Sequence, residues 1–176
     1  NRYAMFIREK IINNQSYAYL VSTRWDKKSK KVKQKVSKYL GKITRLEKVR
    51  NTPFLDYFTQ YSSLENYIQS NSLKKIILDL VELELYRHGF SKKVGSKYIM
   101  LNGEHEIDIT NLKKPMALNE GFMHQKTILA IFRYDKLLDE ENKIPYKFAA
   151  LFVNAGLDIH KDLIIELYQK TFSDSL

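Results

Sequence analysis

The chain has 176 residues, 44% of them hydrophobic and 12% aromatic, which excludes a disordered protein and leaves room for one compact domain or two small ones. It contains no cysteine, which excludes disulfides, cysteine-ligated zinc and thiol catalysis and fits a reducing, cytoplasmic location. Its net charge is +10, and no apolar run approaches the roughly 18 residues that span a bilayer, so we expect a basic protein with no membrane partner. The first residues also lack the basic head and longer apolar stretch of a signal peptide.

The excess of positive charge belongs to the first fifty residues alone. Residues 1–50 carry fifteen basic and three acidic side chains, a net charge of +12, whereas residues 51–176 carry fifteen and seventeen, a net charge of −2. Lysine and arginine concentrated in this way bind phosphates by releasing condensed counterions, whatever the base sequence. The pattern predicts a basic nucleic-acid-binding module at 1–50 and a nearly neutral body at 51–176, which is a candidate for docking a protein partner. The alternative is a solvated basic segment without a polyanionic partner.

The basic module is predicted to be a small sheet. Three segments show the period of two that half-buried strands have, and they are separated by Asn13-Asn14 and by the lysine-rich run 26–31. The expected strands cover residues 4–10, 16–25 and 32–40.

The period of two places Lys31, Lys33 and Lys35 on one face of the third strand. If that face points to solvent, the other must be covered, and residues 43–49 are expected to form a short helix that covers it, together with part of the next helix. Two of the apolar side chains on the third strand share a face, so we expect them to be buried together. The expected contacts are Phe6, Leu20, Val36 and Leu40.

The body is predicted to be mainly helical, with apolar residues at helical spacing. Thr52-Pro53 begins a helix that runs to about residue 70, and Ser72 caps the next, which stops at Gly89. The remaining helices are expected from Asn119 to Phe132, from Pro145 to near Gly156, and from Asp158 to about Phe172.

One β-hairpin interrupts these helices. Residues 97–101 and 104–109 are joined by Asn102-Gly103, a dipeptide typical of the tight type I′ turn, which needs positive φ at both central residues. The order of elements predicts an α+β protein, with a small basic three-stranded antiparallel sheet and a short helix followed by a mainly helical body.

The first forty residues contain an ordered series of short motifs. Ile7-Arg8 is followed by the strand "SYAYLV", a basic turn, and "VKQKVSKYLGK", which ends at Lys42. Residues 4–42 thereby resemble the short N-terminal module that heads some DDE-type transposases, and a similar segment precedes the catalytic part of some Fic-type proteins. The resemblance implies a three-stranded sheet used on nucleic acid. Residues 51–176 lack both the Asp/Asp/Glu core of a transposase and the histidine motif and glycine-rich loop of a Fic protein.

The lysine-rich turn and the strand after it are the best candidates for a binding site. Lysine acts as a point charge suited to phosphates, whereas Arg24 could read a guanine edge and Trp25 could stack on an unpaired base. The candidate nucleic-acid-binding residues are Arg8, Arg24, Trp25, Lys27, Lys28, Lys30, Lys31, Lys33, Lys35 and Lys38.

Aromatic side chains on the second strand have two interpretations. Tyr17 and Tyr19 lie at i and i+2, as do the base-stacking residues of some RNA-binding sheets, but this spacing is more often that of core residues. Trp25 could likewise be a half-buried cover for the sheet.

A catalytic site is not expected. Glu104, Glu106 and Asp108 would share one strand face and could bind Mg²⁺, but no second strand carries the acid and lysine that a metal-dependent nuclease needs. An outward-facing acidic hairpin is the preferred interpretation. The histidines show no paired spacing, so we expect neither a metal nor a cofactor. The four histidines are His88, His105, His124 and His160.

The sequence as a whole therefore predicts a non-enzymatic protein that binds DNA or structured RNA through a basic sheet. Two alternatives remain at this point. The first is a factor that associates with the ribosome or with an acidic protein partner, and the second is a small metal-dependent nuclease.

Overall fold

A computed structural model describes residues 4–100, 103, 105–134 and 145–173. Within these ranges an antiparallel three-stranded sheet is followed by helices and two further small sheets, which confirms the α+β class. No helix among the described residues is both long and apolar enough to cross a bilayer.

The first sheet, here called the head sheet, contains the three predicted strands. β1 (Ala4–Ile12), β2 (Gln15–Asp26) and β3 (Lys31–Lys42) are each longer than expected and pair antiparallel in the order β1-β2-β3. Asn13 and Asn14 form the first turn with φ of 49° and 60°. Asparagine tolerates this left-handed conformation better than most residues, which is why a two-residue hairpin forms there.

Two β-bulges change which side chains share a face of β3. The register with β2 shifts between Ala18 and Tyr19, and again between Leu20 and Val21, which leaves Leu40 and Ser37 as the extra residues of β3. The prediction that Val36 and Leu40 are buried together is therefore wrong. Leu40 packs on the body side, whereas Val36 is 44% exposed.

The predicted covering helix at 43–49 is also wrong, because this segment is extended. Thr44 and Arg45 form β4 (Thr44–Arg45), which pairs parallel with β8 (Met116–Leu118), and β8 pairs antiparallel with β9 (Gly121–Met123). Extended backbone lets the N–H groups of Thr44 and Leu46 donate to carbonyls of the β8 segment, at 3.2 and 3.1 Å. The head sheet thus packs against a β-hairpin of the body, and not against a helix.

A small hydrophobic core joins the head sheet to the body. The apolar contacts come from one face of β1 and β2, from the end of β3 and the residue that follows it, and from the β8–β9 hairpin. Phe6 is not among them, since it lies on the opposite face of β1. The members of this core are Ile7, Ala18, Leu20, Leu40, Ile43, Ala117 and Phe122.

The expected helix 53–70 is two helices. α1 (Phe54–Tyr57) is short, and α2 (Leu64–Ser70) starts afresh at Ser63, whose hydroxyl accepts from the N–H of Asn66 at 3.1 Å. Apolar residues at helical spacing continue through the break, so the period alone does not reveal it. α3 (Leu73–Arg87) begins after Ser72, as predicted.

The later helices differ mainly at their first residues. α4 (Gln125–Phe132) is capped by His124 and not by Asn119, which instead forms the β8–β9 turn with a φ of 51°. α5 (Pro145–Asn154) begins at Pro145 as predicted, and α6 (Lys161–Ser173) begins three residues after Asp158.

The predicted hairpin is part of a third sheet. β6 (Lys97–Met100) pairs with β7 (Glu106–Asp108), and β5 (Phe90–Val94), which was not predicted, adds a strand on the other side of β6. The predicted turn residue Asn102 and the candidate ligand Glu104 lie outside the described residues.

The main core of the body is built around α3, which carries two buried carboxylates, Asp79 and Glu84. Glu84 is 1% exposed and accepts hydrogen bonds from Asn119 Nδ2 at 2.8 Å, from the Asp158 N–H at 3.0 Å and from Arg87 at 3.2 Å. A buried charge of this kind is stable only when it is paired and hydrogen-bonded. Glu84 therefore ties α3 to the β8–β9 turn and to the segment before α6.

Candidate nucleic-acid interface

The head sheet has two faces with different surroundings. Directly opposite residues of antiparallel strands share a face, so the register assigns each side chain to one of them. One face, here called the body-side face, carries Ile7, Ala18 and Leu20 and contacts the small core. The other, here called the open face, carries Phe6 and Tyr19.

The hydrophobic contacts that the structure describes between the head sheet and the body lie at the base of the sheet. Among the described residues, neither hydrophobic core includes a member of residues 22–36, the far part of the β2–β3 hairpin. Asp26 lies six residues beyond Leu20, so this segment extends about 20 Å past the last core contact of β2. We call residues 22–36 the basic arm.

The basic arm carries most of the predicted site residues. Lys33 lies directly opposite Arg24, and Lys35 opposite Ser22, which places these cations on the body-side face beyond the core. Lys31 lies opposite Asp26 at the end of the strands. All of the cationic side chains are exposed. They are Arg24, Lys27, Lys28, Lys30, Lys31, Lys33 and Lys35.

Asp26 is the one carboxylate of the arm, and it organises the turn. Its carboxylate forms an ion pair with Lys33 and accepts from the Ser29 hydroxyl at 3.0 Å and from the Lys28 N–H at 3.1 Å. The hydrogen bond from Lys33, more than those from the turn, holds the pKa of Asp26 below its usual value. Asp26 is therefore ionised near neutral pH and offsets one cation, which leaves the other six without a carboxylate in the arm.

Of the three remaining predicted residues, Lys38 and Arg8 lie outside the arm and Trp25 lies within it. Lys38 is exposed at the base of β3, opposite Leu20. Arg8 is on the open face, where its guanidinium lies 5.7 Å from the centre of the Phe6 ring and donates to Gln34. Trp25 is 59% exposed, so it does not cover the sheet.

The open face carries an aromatic cluster that includes Tyr17 and Tyr19, for which the core was the favoured of two interpretations. The ring centres of Tyr17 and Tyr19 lie 6.3 and 5.3 Å from that of Tyr39, and Tyr39 is 53% exposed. The ammonium group of Lys10 lies 4.9 Å from the centre of the Tyr19 ring. Lys42 lies directly opposite Tyr17.

Sequence reasoning missed three residues of this face, namely Lys10, Tyr39 and Lys42. A signal was available for Lys10, since Lys10 and Tyr17 lie at equal distances from the Asn13-Asn14 turn and must face each other in a two-residue hairpin. The position of Tyr39 depends on the bulges, which the alternation of β3 does not reveal.

The acidic hairpin does not assemble a metal site in the part of the chain that the structure describes. Glu106 forms an ion pair with Lys93 at 2.8 Å, and Asp108 accepts from the N–H and the hydroxyl of Thr110 at 2.9 and 2.6 Å. The hydrogen bonds from Lys93 and Thr110 are the largest of the effects that lower the pKa values of these two carboxyls. Both carboxylates are thus held by neighbouring residues of their own sheet.

Comparison with known proteins finds no family model that matches the chain and no curated protein or solved structure with significant similarity to it. The functional argument therefore depends on the geometry and charge of the head sheet itself.

Proposed function

We propose that this protein binds duplex DNA through the basic arm, without acting on it as an enzyme. The supporting observation is the concentration of charge, with seven cationic side chains and one carboxylate within residues 22–36. These cations are exposed and belong to a segment that contributes to neither hydrophobic core, so they are accessible to a polyanionic ligand. Neutralising phosphates at such a surface releases counterions, which supplies the affinity.

The shape of the arm favours DNA over duplex RNA. Beyond Thr23, which pairs with Ala4, the described part of the arm is an antiparallel hairpin of β2 and β3. The major groove of B-form DNA, about 12 Å wide, admits a two-stranded β-ribbon. The major groove of A-form RNA is too deep and narrow for side chains to read. Arg24 and the lysines of the turn would then contact the groove edges and the phosphates beside them.

Part of the charge has a purely structural explanation, because β3 is an edge strand. Lysines on an edge strand prevent unwanted pairing with other strands, which accounts for Lys33 and Lys35 without any ligand. It does not account for Lys27, Lys28 and Lys30, which lie in the turn and not on the strand edge. The lysines of the turn therefore distinguish phosphate binding from the protection of an edge strand.

The test replaces the four cations at the end of the arm, here called the turn lysines, with glutamine. Binding of a labelled blunt duplex is measured by fluorescence anisotropy at several salt concentrations. We expect much weaker binding, and a log–log salt dependence that is flatter by roughly 0.9 for each phosphate that the variant no longer neutralises. The turn lysines are Lys27, Lys28, Lys30 and Lys31.

A matched control removes the same charge from the body. Four exposed lysines of α3, the third sheet and α6 are replaced with glutamine, and this variant should bind almost as the unaltered chain does. Equal losses in both variants would reduce the effect to net charge and contradict the proposal, as would tighter binding of duplex RNA than of DNA. The probe should also remain intact in the presence of Mg²⁺. The control residues are Lys74, Lys92, Lys97 and Lys161.

A further inference from the structure

The open face of the head sheet is a surface without an assigned role. It lies opposite the body contact and is set apart by the three tyrosines whose rings cluster around Tyr39. A buried cluster of this kind would be core. This one is reached by solvent, since Tyr17 and Tyr19 are half-buried and Tyr39 is 53% exposed.

The charge of this face restricts what can occupy it. Arg8 lies directly opposite Tyr19, while Lys10 and Lys42 lie on either side of Tyr17, so cations flank the rings on both outer strands. The two described carboxylates of the head sheet, Glu9 and Asp26, belong to the body-side face by the same register. Glu9 is held there by Arg45, at 2.9 and 3.0 Å. The open face is therefore aromatic and cationic, with no acid among its described residues.

We propose that the open face binds the unpaired bases of single-stranded DNA, next to a duplex held by the basic arm. Every base has a π-face, so stacking on tyrosine rings tolerates any sequence, and the flanking cations are placed to neutralise the phosphates. Trp25 lies on the open face of the arm, 59% exposed, and links the two surfaces along β2. The preferred ligand is thus a duplex with a single-stranded extension. This inference rests on the proposed function, since the duplex is held by the arm.

The charge of the face argues against a second copy of the chain as the occupant. Two open faces placed against each other would oppose Arg8, Lys10 and Lys42 to the same cations, with no described carboxylate on either face to offset them. Like charges in contact destabilise an interface. A polyanion with unpaired bases matches both the cations and the tyrosine rings of the open face.

The test compares three DNA probes with the same duplex part. One is blunt, one carries a short single-stranded thymidine extension, and one carries an abasic extension with the same phosphates. We expect the thymidine extension to tighten binding by about tenfold or more, as stacking of one base on an aromatic ring would, and the abasic extension to tighten it far less.

Substitutions of Tyr39 assign that gain to the open face. Tyr39→Leu keeps an apolar side chain but removes the ring, and it should abolish the gain from the thymidine extension while leaving blunt-duplex binding unchanged. Tyr39→Phe keeps the ring and should retain the gain. Tyr146→Leu is the matched control, because Tyr146 is 67% exposed on α5 in the body, and this variant should behave as the unaltered chain. Circular dichroism confirms that each variant is folded.

Several outcomes would overturn the inference. An equal gain from the abasic extension would show that phosphates alone are bound, and an unchanged gain in Tyr39→Leu would place the bases elsewhere. A dimer in sedimentation that Tyr39→Leu converts to a monomer would show that the face pairs with a second copy. In each of these cases the weaker binding caused by the glutamine substitutions of the turn lysines would still support the proposed function. Unchanged duplex binding in that variant would contradict both.

Discussion

At the scale of single residues, the ionisation of the His124 side chain is coupled to the stability of the fold. It is 2% exposed and caps α4, where its Nδ1 accepts from the Lys126 N–H at 3.0 Å and its Nε2 lies 3.1 Å from the carbonyl of Lys113. The cap requires a neutral ring protonated on Nε2. Burial lowers the pKa of His124, and the nearby charges of Lys126 and Lys38 lower it further against the opposing effect of the Lys113 carbonyl.

The depressed pKa of His124 predicts a loss of stability in mild acid. The folded pKa is below the unfolded value of 6.5, so the unfolded chain binds more protons between the two values. The contribution of His124 to the free energy of unfolding should be complete above about pH 6.5. It should decrease as the pH drops toward the folded pKa. Urea denaturation of the unaltered chain and of His124→Asn at about pH 7.5 and about pH 5.5 measures this effect.

His124→Asn is an informative comparison because asparagine is a good helix cap and does not titrate in this range. The other three histidines are common to both proteins, so the difference between their pH dependences belongs to His124. Equal dependences in the two proteins would show that His124 contributes nothing to the acid sensitivity.

Sequence reasoning assigned this cap to Asn119, and the error has a physical cause. Asparagine is preferred both at helix caps and in left-handed turns, so its identity does not choose between them. Contacts with residues distant in sequence place Asn119 in the turn, since its Nδ2 donates to Glu84 at 2.8 Å and to the carbonyl of Gly156 at 2.9 Å. In contrast, the exposure of the turn lysines could be predicted, because no apolar residue lies between Lys27 and Lys31.

At the scale of elements, the long strands and the short hairpin β6–β7 were predictable, whereas the other short strands were not. β2 and β3 have twelve residues each, which is long enough for the alternation of a strand to show. β4, β8 and β9 have two or three residues each, too few for any period to show. β4 moreover depends on pairing with residues more than seventy positions away, as between Thr44 and Met116.

The β8–β9 hairpin packs closely against the end of α5 because Gly121 has no side chain. A Cβ atom there would lie 2.0 Å from the carbonyl oxygen of Val153 and 2.6 Å from the backbone nitrogen of Gly156. Gly121→Ala should therefore force backbone atoms apart and lower the free energy of unfolding by at least the 1–3 kcal/mol that is typical, roughly, of overpacking. Chemical denaturation measures this change.

Gly95→Ala is the control for the glycine substitution itself. Gly95 has a φ of +57° with no atom within 4 Å of its added Cβ, so the cost is that of the left-handed backbone alone, roughly 1–2 kcal/mol. Gly121→Ala should be clearly the more destabilising of the two. The reverse order would mean that β9 and α5 are not in close contact.

At the scale of the whole molecule, the head sheet depends on the body for its cover. The small core takes Ile7, Ala18 and Leu20 from the sheet but Ala117 and Phe122 from the β8–β9 hairpin. Three strands without a covered face are marginal in water. A fragment of residues 1–42 lacks these partners and also Ile43, whose N–H donates to the Ser16 carbonyl at 2.9 Å.

We therefore expect the 1–42 fragment to be largely unfolded. Its amide NMR spectrum should show narrow dispersion under conditions in which the intact chain gives a well-dispersed one. A dispersed spectrum from the fragment would show that the head sheet folds by itself and that its contact with the body contributes little to its stability.

The two bulges of β3 divide the β2–β3 pair into a part whose residues are constrained by the fold and a part whose residues are not. At the base of the sheet, the side chains of the small core are constrained by packing, and substitutions of them reduce stability. Beyond the bulges, the basic arm contributes to neither hydrophobic core, so its surface residues can be exchanged at little cost to folding. Related chains could therefore diverge in the arm, and with it in their preferred ligands, while they retain the same base and the same body.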